Sequence, residues 1–90
     1  MKTIEETLKD LINQYDFNRY QYEFWLKTSE KEKEEGSKKL SKQSEDISNS
    51  YCERNIAVAR TYAFIKEMTV MDAMKELFDQ YNEKKVGLSF

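Results

Sequence analysis

The chain has 90 residues, with 15 Lys and Arg against 17 Asp and Glu, a net charge of −2, and 36% charged and 39% hydrophobic residues. That is one small domain, able to bury roughly 60–65% of its unfolded surface. With no histidine, no proline, one cysteine and two glycines, it excludes histidine-dependent catalysis, His-ligated metal sites, an internal disulfide framework and Gly/Pro repeats.

Thr3 followed by Glu6 makes a capping box at a helix start. From there Ile4, Leu8, Leu11, Tyr15, Asn18, Tyr22 and Trp25 recur in steps of three and four. Such spacing keeps side chains on one helical face and predicts a helix over about 4–34. Gly36 then offers the backbone freedom that a helix end uses, and Ser37 can cap the next helix.

The second helix, expected over 38–67, repeats the pattern through Leu40, Ser44, Ile47, Tyr51, Asn55, Val58, Tyr62 and Ile65. In an antiparallel hairpin, facing residue numbers add to a constant. A turn at Gly36/Ser37 sets that constant at 73, pairing Leu11 with Tyr62, Tyr15 with Val58 and Tyr22 with Tyr51. Asn18 then faces Asn55, and the two amides are expected to bond each other and set the register. Residues 27–46 hold Leu40 as their one aliphatic side chain among six positive and six negative charges. They form a charged hairpin tip with many i,i+4 pairings.

A third helix is expected over about 70–83, starting from Thr69 with Asp72 at the capping-box position. Val70, Met71, Met74, Leu77, Phe78 and Tyr81 give it an apolar face, and Lys84 and Lys85 suit its negative end. The tail 86–90 alternates apolar residues and could dock in an extended form. The fold class is therefore all-α. One domain, 1–90, is a three-helix bundle built on a long antiparallel hairpin and able to dimerise.

Six aromatic residues fall between Tyr15 and Leu26. At 100° per residue, Phe17, Tyr20 and Phe24 point away from the hairpin seam. Either the third helix covers them, or they meet a second copy or another protein. The third helix could also nestle beside Ile56, Ala59 and Ala63, a row whose small residues permit close approach. The three arginines, Arg19, Arg54 and Arg60, sit in this aromatic body and not in the charged tip. Their expected partners are internal acids such as Asp16, Glu23 or Glu53, or else an anion or partner.

Nucleic acid is not an expected partner. Neither half of the chain is basic, and a helix-turn-helix drawn over 56–82 would put Asp72, Glu76 and Asp79 against the phosphates with only Lys75 to offset them. No phosphate-binding loop, dinucleotide fingerprint, nucleophile elbow or HExxH is present. Cys52 stands beside Glu53 with little to activate its thiol. No enzymatic activity, cofactor or metal is expected.

No apolar run nears the ~20 residues of a membrane span. The polar start Met1-Lys2-Thr3-Ile4-Glu5-Glu6 does not read as a signal peptide. The lone cysteine fits a reducing compartment, so the expected location is the cytoplasm. Lysine outnumbers arginine 12 to 3, a bias that points to a low-GC bacterium, phage or mobile element. The bend reads Glu35-Gly36-Ser37 and lacks the Trp-x-Gly of the secreted helical hairpins of this size, so no family is assigned on it.

Together these features favour a small cytoplasmic protein-binding regulator or inhibitor. An anti-CRISPR-like or other host-takeover inhibitor falls within that class on size and composition. The alternatives are a structural protein that assembles as a homodimeric bundle and, third, a nucleic-acid-associated regulator.

Overall fold

A computed structural model describes residues 1–87. It contains three helices, α1 (Ile4–Glu34), α2 (Lys38–Lys66) and α3 (Val70–Gly87), matching the expected hairpin and third helix. The helix starts follow the capping logic. Thr3 Oγ1 accepts from the Glu6 amide at 3.1 Å, and Thr69 Oγ1 from the Asp72 amide at 3.1 Å. Ser37 precedes α2 but makes no side-chain cap bond.

The two bends use one motif with different residues. At the first, Gly36 adopts φ +84; its amide donates to Lys33 O at 3.1 Å and the Ser37 amide to Glu32 O at 2.8 Å. These bonds satisfy carbonyls that a helix end leaves open. At the second, Glu67 occupies the left-handed region (φ 54, ψ 47), with the Met68 amide donating to Ala63 O at 3.0 Å. A side chain there is strained where glycine would not be.

α3 continues to Gly87, a turn beyond its expected end. The reason is electrostatic. Lys84 pairs with Asp16 at 2.6 Å and Lys85 with Glu23 at 3.1 Å, and lysines complement the negative end of the helix. Val86 and Gly87 are thus helical in backbone and do not begin an extended tail; residues 88–90 lie outside the described residues.

The register differs from expectation. The Ser29 hydroxyl donates to Ser41 O and the Ser41 hydroxyl to Ser29 O, both at 2.9 Å. Ser48 Oγ donates to Tyr22 O at 3.1 Å, and Asn55 Nδ2 to Tyr15 O at 3.2 Å. Each of these pairs adds to 70, not 73, a shift of nearly one turn. The physical reason is size. A constant of 73 sets Tyr22 against Tyr51 and Leu26 against Ile47; 70 sets Tyr22 against Ser48 and carries Leu11 to Ala59. Small residues on α2 let the backbones come within reach of a hydroxyl. The expected Asn18–Asn55 bond accordingly does not form, since Asn55 Oδ1 is buried without a partner. Leu40 and Ile47, expected in the seam, are exposed, while Ser41 and Ser48 are buried in their place beside Ser44, which is buried as expected.

The apolar core occupies the open half of the hairpin, where α3 docks mainly on α2. Leu11, Tyr15, Val58, Tyr62, Leu77 and Tyr81 fill it, and Ala59, Ala63 and Ala73 let α3 lie close. The tip half is held by the serine seam. The molecule measures 48 × 31 × 25 Å, its long axis set by the ~46 Å of a 31-residue helix.

Candidate functional site

α3 does not cover the aromatic stripe. It packs mainly on α2 and meets α1 beside the stripe, at Asp16, Arg19 and Glu23, leaving Phe17, Tyr20 and Phe24 with 57%, 60% and 50% of their surface in water. Two of the three rings meet another ring. Phe17 meets Tyr51 edge-on at 6.3 Å, and Phe24 meets Trp25 edge-on at 5.3 Å. Half-exposed rings braced by other rings are held in place without being sealed, the condition of an aromatic contact surface.

The six residues singled out in the sequence fall in three places. Tyr20 and Phe24 border a shallow groove of about 510 Å³ between α1 and α3, whose far wall includes Tyr81, Lys84 and Lys85. Phe17 and Arg54 border a second groove, of about 620 Å³, between α1 and α2. Leu11 and Val58 also line it, and no described α3 side chain does. Arg60 is exposed on α2 outside both grooves.

Arg19 belongs to the scaffold. Its Nε donates to Glu23 Oε1 at 3.3 Å, and its guanidinium lies 4.9 Å from the Tyr22 ring and 4.8 Å from the Phe78 ring. It joins α1 to α3 by charge and by stacking on aromatic faces. Arg54 behaves differently. Its guanidinium lies 4.9 Å from the Tyr51 ring, with no carboxylate paired to it among the described residues.

Glu23 is the charged hub beneath the α1–α3 groove. It accepts from Arg19, from Tyr81 Oη at 3.1 Å and from Lys85 at 3.1 Å. Burial opposes its ionisation, but hydrogen bonds from Lys85 and Tyr81, with the charges of Lys85 and Arg19, hold its carboxyl below the usual range. Tyr81 moves the other way. Burial, the Glu23 charge and the bond donated to Glu23 push its phenol up to about 12. Tyr81 thereby ties α3 to α1 as a hydrogen-bond donor and lies too far from neutrality to exchange a proton there.

Sequence reasoning named Glu23 only as a partner for arginine and did not anticipate Tyr81 as its donor. The signal was available in part: a tyrosine on the apolar face of α3 needs a partner for its hydroxyl when buried. Phe64, 86% exposed near the α2–α3 bend, was not singled out as surface, and Met71, expected on the apolar face of α3, is instead 82% exposed. Among the described residues no group of three or more His, Cys, Asp or Glu could hold a metal ion, and Cys52 is exposed. No described helix is long and apolar enough to cross a membrane. Comparison of the chain with protein-family models, curated proteins and solved structures finds no match.

Proposed function

We propose that this chain is a small protein-binding regulator or inhibitor, without enzymatic activity, acting in the cytoplasm. The observation that carries the reading is the stripe of Phe17, Tyr20 and Phe24, half exposed on a helix whose own core is complete without them. Exposing such rings is unfavourable in isolation and becomes favourable when a partner covers them. The lysine-rich composition agrees with an origin in a low-GC phage or mobile element, where small host-takeover inhibitors of this size would belong.

The test is capture from a nuclease-treated lysate of a low-GC bacterium, with the Phe17→Ser/Phe24→Ser variant beside the parent. One stoichiometric protein held by the parent and released by the variant supports the reading. Equal capture by both, or none by either, counts against it.

A second reading is self-assembly into a larger bundle, favoured by Phe64 and Met71 standing almost fully in water near one end of the molecule. Sedimentation and melting over a range of chain concentrations separate it from a monomer, because association makes the melting temperature rise with concentration.

A further inference from the structure

We propose that the groove between α1 and α2, on the side away from α3, receives an amphipathic α-helix of a partner protein, with an acidic side chain that meets Arg54. The proposal rests on the protein-binding reading and names the partner's chemistry.

The shape comes first. Leu11 and Val58, both nearly buried, give the groove an apolar base. Ala57 on its α2 side has only a methyl group and permits close approach; Phe17 forms a wall on the α1 side. The lining runs from Leu11 to Asn18 on α1 and from Arg54 to Thr61 on α2, about 10 Å on each helix, or two helical turns. Anchors spaced i, i+4 and i+7 on an incoming helix fit that length. An extended peptide does not suit it: the walls are helices whose amides and carbonyls are already bonded, so there is no strand edge to extend.

Charge then selects the partner. Among the described residues, Arg54 is the one charged side chain lining the groove. Three and four residues to either side of it on α2 stand Ser50, Tyr51, Ala57 and Val58, none of them acidic. On the α3 flank the arrangement is the reverse, with Arg19 and Lys85 on Glu23 and Lys84 on Asp16. The Arg54 guanidinium sits over Tyr51, which in turn meets Phe17 edge-on. That stack positions the planar fork beside the apolar groove, where it can accept a carboxylate in two-point contact. A basic helix would bring like charge to the same place.

The probe is a display library of helical peptides about 15 residues long, ~22 Å when helical, selected against the immobilised full chain. Winning sequences are synthesised and titrated by fluorescence anisotropy against the parent, Arg54→Glu and Ala57→Trp. Both substituted side chains are exposed, and circular dichroism verifies that each variant retains its helices.

The expected winners carry apolar anchors at i, i+4 and i+7 with Asp or Glu beside them. Binding falls at least about tenfold on Arg54→Glu and on Ala57→Trp, and replacing the peptide's acid by lysine restores binding to Arg54→Glu. Failure to enrich any peptide overturns the proposal, as does enrichment of basic or non-helical sequences or binding that ignores both variants. The lysate capture separates the two levels when Phe24→Ser is run alone as well, since Phe24 lies outside this groove while Phe17 lines it. Success there with failure here removes the helix proposal alone, and failure of both removes the protein-binding reading with it.

Discussion

Ser29 and Ser41 join the two arms of the hairpin reciprocally, each hydroxyl donating to the other's main-chain carbonyl at 2.9 Å with the two oxygens 3.0 Å apart. Both residues are buried. The pair does near the charged tip what apolar packing does at the other end. A double-mutant cycle over Ser29→Ala and Ser41→Ala, read by urea unfolding, should give a coupling of about 1 kcal/mol. Strictly additive losses would mean that the hydroxyls do not act together.

Ser48 is fully buried against α1. Ser48→Ala loses one hydrogen bond and should destabilise by about 0.5–1.5 kcal/mol. Ser48→Leu inserts volume where the backbones are closest, and should lose about 1–3 kcal/mol despite adding apolar surface. A leucine variant as stable as the parent would contradict the close approach of the arms.

Glu67 is the one non-glycine residue with positive φ among those described. Glu67→Gly relieves the left-handed strain, partly offset by greater freedom of the unfolded chain, and should raise stability by up to about 1 kcal/mol. Thermal unfolding decides it; a lower melting temperature would show that the Glu67 side chain supports the bend.

The Glu23–Tyr81 pair gives a pH signature at both ends of the scale. Glu23 has a lowered carboxyl pKa in the fold, so its contribution is present above the ordinary carboxylate range and is lost as pH falls through that lowered value. Tyr81 is raised from 10.0 to about 12, so its contribution is complete below pH 10 and is lost as pH rises toward 12. Ultraviolet titration of tyrosinate should show a step near the upper value that disappears in Tyr81→Phe. Glu23→Gln should loosen α3 by about 2 kcal/mol and flatten the acid limb of the stability profile. An unchanged acid limb would remove Glu23 from its role as hub.

Much of the fold was legible because it depends on local signals. Thr3 and Thr69 cap their helices as the sequence suggests, and the permissive backbone of Gly36 marks the first bend. The register was less legible, since the stripe of α2 pointed to Leu40 and Ile47 together with Ser44, while the structure buries Ser44 with Ser41 and Ser48. Hydrophobic periodicity weighs side chains by polarity and cannot see that a serine facing a carbonyl satisfies its own hydroxyl and brings the helices closer. The side of the hairpin taken by α3 was half legible. The small residues Ala59 and Ala63 marked where it would dock, but nothing in the spacing told whether it would also reach round to the aromatic stripe. Arg19 and Arg54, alike in sequence, separated because only Arg19 has an acid four residues on.

The central claim is that Phe17 and Phe24 serve a partner and not the chain's own core. Its most direct test is the unfolding free energy of the Phe17→Ser/Phe24→Ser variant, measured with urea beside the parent. Half-exposed rings should contribute about 1 kcal/mol each, so the variant keeps its helical spectrum and a cooperative transition with a total loss near 2 kcal/mol. A loss above about 5 kcal/mol, or the absence of a cooperative transition, is the result of emptying a core and would contradict the account.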